Sequence, residues 1–581
     1  MRRSSATAPR IERRALPENF DAAQYAMPPI LARIHAARAG DPAASLTLKH
    51  LLAPADLGGL AAAVAALSDA IASQRKIVVV GDFDADGATG TAVAVRGLRL
   101  LGAANVRFKV PNRFTHGYGL SPSLVDEIAP ENPGALLLTV DQGTTSVAGV
   151  ARANALNLAV LISDHHLPGN ELPAALAIVN PNLLGDAFAS KNLCGVGTVF
   201  YLLLALRAHF RDLGNYQNKT EPNLGELLDL VALGTVADLV PLDYNNRILV
   251  EQGLKRMRAG FACMGLRALL SVSKVDIKNV NAADLAFRIA PRLNAAGRLD
   301  DMAVGIECLL CDDPSRARAL AETLSDLNRE RREIQETMQA QALSLVETIN
   351  AKRATAPVAA AADAVLIVSD SEFHQGVVGL VASKLVERYH RPALAFAPSD
   401  DGWRGSARSI PGLHLRDVLA DLDAQYPDLI VKFGGHAMAA GLTISHSQFE
   451  RFKKVAPAAF SARLSAELLE QVVLTDGPLL RHEFNLNLAQ HIRLGGPWGQ
   501  GYPEPLFEVD AEILEASRIN GRHLRLRLNW QQSVVPAMWF NTELEPSELP
   551  KQARLLAQVE LDEYQGLYSA RLLVRYLRLD Y

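Results

Sequence analysis

In the stretch Val78-Val79-Val80-Gly81-Asp82-Phe83-Asp84-Ala85-Asp86-Gly87, a short apolar run leads directly into three alternating carboxylates. The apolar run predicts a buried strand, and the acidic residues stand where that strand ends. Carboxylates this close repel one another, and burying them without compensation costs several kcal/mol per charge. A divalent cation is the usual compensation, and oxygen ligands suit Mg²⁺ or Mn²⁺. A solvated acidic turn is the alternative, since Asp and Gly also favour turns.

Three further apolar runs end in acidic or imidazole groups. They are residues 136–140 followed by Asp141, residues 158–163 followed by Asp164, His165 and His166, and residues 230–237 followed by Asp238. Short apolar runs that alternate with helical stretches predict an α/β fold with a parallel sheet and crossover helices. Such sheets bind ligands beyond the carboxyl ends of their strands. We therefore expect all four acidic ends to converge at one edge of the sheet.

The order of these motifs resembles the DHH phosphoesterase superfamily, and further motifs resemble its RecJ family of single-strand-specific 5′ exonucleases. The further motifs are Val110-Pro111-Asn112-Arg113, Gly117-Tyr118-Gly119-Leu120, Phe287-Arg288-Ile289-Ala290-Pro291-Arg292-Leu293-Asn294-Ala295-Ala296-Gly297-Arg298, Gly434-Gly435-His436-Ala437-Met438-Ala439-Ala440-Gly441 and Trp498-Gly499-Gln500-Gly501-Tyr502-Pro503-Glu504-Pro505. The resemblance spans about residues 50 to 581. It departs at Cys194, where a small residue is expected, and at Thr144-Thr145, and neither departure touches an expected ligand.

The resemblance implies a catalytic site that holds two divalent metal ions, Mn²⁺ or Mg²⁺. Its implied metal ligands are Asp82, Asp84, Asp86, Asp141, His165, His166 and Asp238. By the same resemblance, Asp84 and Asp86 serve one metal each and Asp141 bridges them. Asp164 belongs to the catalytic set, although Asp82 and Asp164 could instead orient a ligand through hydrogen bonds. His166 could contact phosphate or orient a ligand rather than bind metal.

Several residues outside the acidic cluster are candidate contacts to a DNA substrate. Those of the first domain are Arg113, Arg292, Asn294 and Arg298, and those of the second are Ser406, Arg408, Gly434, Gly435 and His436. Guanidinium groups grip phosphate oxygens in a bidentate way, and glycines let a backbone approach a ligand closely. The alternatives are interdomain salt bridges for the arginines and a tight turn with a buried histidine for His436. If these residues contact the substrate, a single strand of DNA would pass through the cleft between the two domains.

The segment 523–530 alternates strictly between cationic or polar and apolar residues. Arg525 and Arg527 therefore share one face of a predicted strand, opposite a leucine face. This pattern suits an OB-like barrel that binds single-stranded DNA. Trp530, Trp539 and Tyr564 could stack on bases, with core packing as the alternative for Trp539.

These patterns predict an α/β protein with a parallel-sheet DHH domain joined by a long helix to a smaller α/β DHHA1 domain, followed by an all-β OB-like barrel. The expected bounds are 1–50 for an N-terminal arm, 51–314 for the DHH domain, 315–354 for the connecting helix, 355–465 for the DHHA1 domain and 466–581 for the OB-like domain. The stretch 355–362 is rich in Ala and Pro and marks a boundary. The net charge of −4 requires that cationic residues be clustered if the protein binds DNA.

The composition excludes several classes of protein. No uninterrupted apolar stretch is long enough to span a bilayer, so no membrane association is expected. Four cysteines make no disulfide framework, and Cys308 and Cys311 have no second pair with which to complete a zinc site. The cytoplasm is the expected location. The Arg-rich start 1–16 indicates a basic tail, and a transit peptide is the alternative.

The resulting hypothesis is a metal-dependent 5′→3′ exonuclease that releases 5′-mononucleotides from single-stranded DNA, in DNA repair and recombination. The direction of digestion rests on the resemblance alone. Single-strand-binding protein and a RecQ-type helicase are implied partners by the same route, and a monomer is expected. One alternative is a small-substrate DHH hydrolase that acts on pyrophosphate, cyclic dinucleotides or nanoRNA. The other is a catalytically silent DNA-binding scaffold, which the complete set of motif carboxylates and histidines opposes.

Overall fold

The structure is a computed structural model that describes residues 9–38, 40–41, 44–354, 364–564 and 566–578, without the side chains of residues 350–354 and 564. Residues 1–8 of the predicted basic tail, the whole of the predicted boundary 355–362 and the Tyr564 side chain therefore lie outside the described part. The chain forms two compact units. One comprises Arg13–Asn328 and Thr475–Tyr581, and the other comprises Arg329–Leu474 with the N-terminal residues up to Glu12.

The larger unit contains a parallel sheet with helices on both faces. The chain begins with β1 (Arg10–Arg13), most of which belongs to the smaller unit. The elements that follow, up to the last strand of the parallel sheet, are α1 (Pro29–Ala36), α2 (Leu60–Ala72), β2 (Ile77–Val80), α3 (Ala85–Leu100), β3 (Val106–Lys109), α4 (Pro122–Ile128), β4 (Leu136–Val140), α5 (Val147–Ala155), β5 (Ala159–Ser163) and β6 (Ala177–Val179). The strand order is β3-β2-β4-β5-β6, and every pair is parallel.

Alternate residues of the central strands enter different cores, as a sheet covered on both faces requires. Ile77 and Val79 pack with residues of α2 and α3 on one side of the sheet. Val78 and Val80 pack with residues of α4 and α5 on the other. Both faces of β2 are therefore apolar, which explains why its sequence is a continuous Ile-Val-Val-Val run rather than an alternating one.

A helical layer follows the sheet. Its helices are α6 (Gly195–Asp212), α7 (Leu228–Ala237), α8 (Tyr244–Arg258), α9 (Met264–Val272), α10 (Ala282–Asp284), a π-helical turn (Leu285–Ile289), α11 (Ala290–Leu299), α12 (Ala303–Leu310) and α13 (Pro314–Ala354). Residues 228–236 of α7 are all buried, because α7 packs against α3, α6 and α8. The predicted long helix is α13, which begins in the larger unit and ends in the smaller one.

The smaller unit is built on a mixed sheet. Its elements are β7 (Leu366–Ser369), α14 (Val378–Tyr389), β8 (Ala393–Ser399), β9 (Gly402–Arg408), α15 (Leu415–Gln425), β10 (Lys432–Gly435), β11 (Ala439–Ile444), α16 (Phe449–Arg463) and β12 (Val472–Thr475). The strand order is β10-β11-β9-β8-β7, in which β7 and β8 are parallel and the other pairs are antiparallel. The sheet closes over a core that contains Phe396, Phe452 and Phe460.

The C-terminal part returns to the larger unit as a closed barrel. It comprises α17 (Leu486–Leu494), β13 (Phe507–Ile519), β14 (His523–Trp530), β15 (Ser533–Trp539), β16 (Gln552–Tyr564) and β17 (Leu567–Arg578), with the strand order β13-β14-β15-β17-β16. Short 3-10 turns occur at Ala22–Gln24, Leu48–His50, Pro54–Asp56, Ala129–Glu131, Leu224–Leu227, Ile277–Asn279 and Pro546–Glu548. The predicted fold class is confirmed, with α17 as a helical addition to the expected all-β module.

A buried ion pair joins the residues that follow α1 to the segment between β12 and the barrel. The Arg38 guanidinium donates to both carboxylate oxygens of Asp476, at 2.5 and 2.9 Å, and both side chains are fully buried. Arg38 also donates to the Pro503 carbonyl oxygen, while Asp476 accepts from the Leu506 backbone N–H. The residues just before the DHH domain are therefore packed structure. Within the described residues no single helix is long and apolar enough to cross a membrane. Only when the two helical segments of the bent pair Leu48–Asp56 and Leu60–Ala72 are taken together do their length and composition meet that requirement.

Candidate metal centre

The predicted acidic ends meet at the carboxyl edge of the parallel sheet. Strands β2, β4 and β5 are neighbours, and their register pairs Val80 with Thr139 and Val140 with Ser163. The residues that follow these strands, Asp82, Asp141 and Asp164, therefore emerge side by side and are all buried. Asp141 has a positive φ of 64°, a strained conformation for a residue with a side chain, and such strain is typical of functional sites.

Two helix N-termini hold the carboxylates of the Asp82–Asp86 segment. Asp84 is the N-cap of α3 and accepts a hydrogen bond from the Gly87 N–H. Asp86 accepts from the N–H groups of Gly195 and Val196, at 2.6 and 3.0 Å, at the start of α6. The positive end of a helix dipole favours an anion, so both contacts stabilise charge in this crowded segment.

The remaining ligand candidates complete a continuous cluster. His165 Nε2 lies 3.1 Å from Asp141 Oδ1 and 3.6 Å from Asp238 Oδ2. Three sets of ligand atoms lie close enough to share one ion, each set within 4.8 Å. They are Asp82, Asp84 and Asp141; Asp86, His165 and Asp238; and Asp141, His165 and His166. Asp141 and His165 each belong to two sets, so the arrangement can hold neighbouring ions with shared ligands.

Asp164 orients the histidines. Its Oδ1 accepts from the N–H groups of His165 and His166 and from His166 Nδ1, at 2.7, 3.2 and 2.8 Å, and its Oδ2 accepts from the Thr144 N–H. Burial raises the pKa of Asp164, but the hydrogen bond and charge of His166 outweigh it and hold that pKa well below its usual range. With Nδ1 bound to Asp164, the Nε2 of His166 faces the Tyr118 hydroxyl at 3.2 Å, and it would bind a metal or phosphate only in exchange for this contact.

The unsatisfied groups of this cluster fit a cation. Among the described residues, Asp82 Oδ1, Asp141 Oδ1 and His165 Nε2 are buried and make no well-aligned hydrogen bond, although the last two atoms lie 3.1 Å apart. Burial, followed by the charge of Asp84, raises the pKa of Asp82 to about 8 and that of Asp238 to about 8. Burial and the charge of Asp238 raise the pKa of Asp86 to about 7. Negative charge this poorly compensated, on hard oxygen and imidazole ligands, is the donor set of a Mn²⁺ or Mg²⁺ site.

Two predicted substrate residues of the first domain lie beside the acidic segment. The Arg113 guanidinium carbon stacks 3.9 Å from the centre of the Phe83 ring, and its Nε donates to the Gly297 carbonyl oxygen. Asn294 Oδ1 accepts from the Ala85 N–H, at 2.8 Å, and so holds the start of α3. The close packing explains Gly297, because a Cβ there would lie 1.8 Å from the Phe83 carbonyl oxygen.

The other predicted substrate residues are placed more widely. Arg292 donates to the Oγ of Ser325, which lies about three turns into α13, and Arg298 is a half-buried residue of α11. In the smaller unit, β9 carries Ser406 and Arg408, whose side chains share a 2.8 Å hydrogen bond. Gly434 pairs with Gly441, which pairs with Ser406, and the space in front of both glycines is open. Gly435 ends β10, and His436 follows it, exposed.

On the barrel, the predicted alternation of β14 is present. Leu524, Leu526 and Leu528 are buried, and Arg525 and Arg527 are exposed. Trp539 is half-buried and packs against the barrel core. The prediction that Trp530 stacks on bases is wrong, because this residue is 2% exposed and packs against Phe484 inside the barrel. Alternation along the strand places Trp530 on the same face as the three leucines, so the sequence pattern already indicated that Trp530 is buried.

Other residues of the site were not among the predicted candidates. Asn182 donates to the His165 carbonyl oxygen, and Asn180 donates to the His166 carbonyl oxygen, so both hold the histidine turn from the end of β6. The Tyr118 hydroxyl lies 3.2 Å from His166 Nε2 and 3.4 Å from the Asp141 carbonyl oxygen. Tyr118 could have been predicted as a site residue from its place between two glycines in a family motif. Asn180 and Asn182 only follow an apolar run, which does not by itself indicate a site.

Comparison with known proteins identifies the family. Three family models match the chain: the DHH family, N-terminal domain, at residues 76–235; the DHHA1 domain at residues 362–462; and the RecJ OB domain at residues 475–576. The single-stranded-DNA-specific exonuclease RecJ of Salmonella typhimurium is 47% identical over 94% of this chain and 95% of that protein. The protein of the same name from Escherichia coli is 46% identical over 94% and 95%.

A solved structure agrees. RecJ from Thermus thermophilus in complex with Mn²⁺ superimposes with a TM-score of 0.80 at 30% identity, covering 98% of this chain and 80% of that one. The same protein in complex with Mg²⁺ gives a TM-score of 0.75. With this identity, coverage and shared architecture, the chain belongs to the RecJ family.

Proposed function

We propose that this protein is a metal-dependent exonuclease that digests single-stranded DNA from the 5′ end and releases 5′-mononucleotides. One observation carries the proposal: seven candidate ligands converge where neighbouring strand ends meet the ends of α3 and α7, in a chain that matches single-stranded-DNA-specific exonucleases over 94% of its length. The chemistry is phosphodiester hydrolysis with Mn²⁺ or Mg²⁺ as cofactor. The 5′→3′ direction and the role in DNA repair and recombination are part of the proposal.

The proposed ligands are Asp82, Asp84, Asp86, Asp141, His165, His166 and Asp238. These residues would hold two divalent cations, whose chemistry when bound would be to activate a water for attack at neutral pH and to offset the charge that develops on the phosphate. Asp164 engages Nδ1 of His166 and so fixes the ring, and Nε2 would bind a metal in exchange for its proton and its contact with the Tyr118 hydroxyl. The N-termini of α3 and α6 hold Asp84 and Asp86 in place, which keeps the site organised while substrate enters and product leaves.

The proposed substrate contacts divide by chemistry. Arg113, Arg292, Arg298 and Arg408 supply guanidinium groups for backbone or terminal phosphates, and Ser406, Asn294 and His436 supply further polar groups. The open backbone at Gly434 and the turn at Gly435 would let a phosphate approach closely. Arg525 and Arg527 lie on an exposed barrel face, which suits a single strand held by its charge.

The wider assignments are proposals of the same kind. They are a monomer in the cytoplasm, with single-strand-binding protein and a RecQ-type helicase as partners. The domain bounds are proposed as 1–50, 51–314, 315–354, 355–465 and 466–581. A small-substrate hydrolase is not favoured, because the chain matches the exonucleases through its barrel as well as its metal domain. A silent scaffold is not favoured, since all seven candidate ligands are present and clustered.

Digestion of labelled oligonucleotides tests the proposal. A single-stranded oligonucleotide carrying a 5′ or a 3′ label is incubated with Mn²⁺, with EDTA, and with the Asp141→Ala variant. Immediate release of labelled mononucleotide from the 5′ label alone, abolished by EDTA and by Asp141→Ala, is expected. Asp126→Ala, which removes an exposed carboxylate paired with Arg152, should leave the rate unchanged. Hydrolysis of pyrophosphate or a dinucleotide in place of the oligonucleotide would refute the proposal.

A further inference from the structure

Asp238 differs from Asp84 and Asp86 in the helix end at which it lies. Asp84 and Asp86 accept hydrogen bonds at helix N-termini, whereas Asp238 is the C-cap of α7. The negative end of a helix dipole disfavours a carboxylate, so α7 does not stabilise the charge of Asp238. Leu239 follows in a left-handed conformation, with a φ of 61°, and its exposed side chain cannot fix this turn by packing. The chain after Asp238 therefore has to be held from outside α7.

A buried amide holds the loop that follows α7. Asn246, in the first turn of α8, is fully buried, and its Nδ2 donates to the Pro241 carbonyl oxygen at 3.0 Å. The same Nδ2 donates to the Asn192 carbonyl oxygen at 2.6 Å. An amide nitrogen carries two protons, so both are used. One side chain thus ties the loop after α7 to the loop before α6.

The N-cap of α8 makes the same connection. Asp243 Oδ1 accepts from the Asn246 N–H at 2.9 Å, the hydrogen bond that caps the helix. Its Oδ2 accepts from Ser190 Oγ at 2.6 Å and from Asn192 Nδ2 at 3.2 Å. We call Ser190, Asn192, Asp243 and Asn246 the polar clasp. Its hydrogen bonds join the two loops in both directions, from side chain to backbone and from side chain to side chain.

The polar clasp connects the supports of two ligand candidates. Residues 190–192 lead into the start of α6, whose first N–H groups hold Asp86. Residues 239–243 connect Asp238 to α8. Asp86, His165 and Asp238 form one of the sets whose ligand atoms lie within 4.8 Å of one another. A shift of either loop would therefore change the separation of the two carboxylates in this set.

The chain before the barrel supports the same loop from another side. The Leu242 N–H donates to the Gln500 carbonyl oxygen at 2.7 Å. A Cβ at Gly499 would lie 2.7 Å from Leu242 Cδ1, and one at Gly501 would lie 3.2 Å from Pro241 Cβ. Both glycines let this segment lie directly against the loop after α7. That loop is therefore fixed by the polar clasp and by the segment before the barrel together.

We propose that Asn246 is a positioning residue that sets the separation of Asp86 and Asp238 and, through it, the affinity of this ligand set for its cation. The inference rests on the proposed function, because it takes these carboxylates as metal ligands. Replacing a residue that orients metal ligands through hydrogen bonds typically weakens metal binding by about 10- to 100-fold. Asp82 and Asp84 of the other set lie outside the polar clasp, so the effect should fall on one of the two ions.

A manganese titration followed by electron paramagnetic resonance tests the inference, since the signal of free Mn²⁺ gives the number of bound ions and their affinities. Wild type should bind two ions. Asn246→Ala should weaken one of them by about 10- to 100-fold and leave the other within about threefold of wild type. Ser190→Ala removes a clasp hydroxyl from the other loop and should weaken one ion by at least about threefold. This smaller change decides the question if Asn246→Ala does not fold.

Asn245→Ala is the matched control. Asn245 is the neighbouring residue and is also buried, and its Oδ1 accepts from the Leu52 N–H and the Tyr201 hydroxyl, which lie outside both loops. Each of the two alanine variants removes the partner of two polar groups, so similar decreases in the thermal midpoint are expected. Asn245→Ala should nevertheless leave both Mn²⁺ affinities unchanged.

Nuclease assays give a second readout. The rate of Asn246→Ala should fall at limiting Mn²⁺ and return to within about threefold of wild type at saturating Mn²⁺, with KM for DNA unchanged. Equal weakening of both ions, equal effects of Asn245→Ala and Asn246→Ala, or unchanged affinities in the clasp variants would overturn the inference. A wild type that binds two ions but digests no DNA would refute the proposed nuclease activity, and the site-selective loss in Asn246→Ala would still establish the positioning role.

Discussion

Metal binding should release protons, because the cluster cannot carry its full charge without cations. With pKa values of about 8, Asp82 and Asp238 are each about nine-tenths protonated at pH 7. Asp86, with a pKa of about 7, is about half protonated at that pH. Carboxylates and imidazoles bind metal without their protons, so loading Mn²⁺ at pH 7 should release about two protons from these carboxylates, and about one more from His166 if it is a ligand, because the hydrogen bond and charge of Asp164 raise its pKa to about 9. At pH 9 the carboxylates are already ionised, and the release should fall by about two protons.

Calorimetric titration with Mn²⁺ measures this release. The observed heat is recorded at pH 7 and pH 9 in buffers of different ionisation enthalpy, and its slope against that enthalpy is the number of protons released. Near pH 7 the apparent affinity should rise at least about 100-fold per pH unit, tenfold for each proton released. Asp82→Asn should lower the release at pH 7 by about one proton. Asp126→Asn, an exposed control, should not change it. A release below about one proton at pH 7, or equal values at pH 7 and 9, would refute the reasoning.

Three further predictions concern stability and site geometry. Asp476→Asn leaves the buried Arg38 guanidinium unpaired and should cost about 3–5 kcal/mol in the free energy of unfolding of the larger unit, measured by urea titration. Burial, then the charges of Arg247 and Arg38, lower the pKa of His35 to about 4, so stability present above pH 6.5 is lost as pH falls towards 4. Glutamine does not titrate in this range. The free energy of unfolding of His35→Gln should therefore fall by up to about 3 kcal/mol less than that of wild type between pH 6.5 and pH 4, measured by the same urea titration. Gly297→Ala pushes on the Phe83 carbonyl and should weaken Mn²⁺ binding at least about tenfold by calorimetry.

Strand ends were the part of the site that patterns could predict. Residues 136–140 were expected as a strand and form β4, and Asp141 follows directly. A strand ends where its apolar run ends, and neighbouring parallel strands end at one edge, so local pattern and a topological rule together predict convergence. The same reasoning places Arg525 and Arg527 on an exposed face of β14, because the side-chain period of a strand is two.

Roles that depend on long-range packing were beyond those patterns. Asn294 was expected to contact substrate, and the structure adds a hydrogen bond to the Ala85 N–H, 209 positions away in the chain. Asn180 and Asn182 hold the histidine turn, yet an asparagine after a strand ordinarily indicates only a turn. Trp530 looked available for bases, but closure of the barrel buries it. Each of these contacts joins segments whose distance in space no local pattern encodes.

The amino-acid sequence alone determined the α/β class, the order of the modules and the ligand types, because these depend on local periodicity and on the chemistry of Asp and His. Tertiary structure alone decided how those ligands are used. It placed both oxygens of Asp86 against the start of α6, engaged Asp164 with His166, and aimed Tyr118 into the cluster. The physical reason is that a side chain's pKa, orientation and exposure are properties of its neighbours, and folding brings those neighbours together from distant parts of the chain.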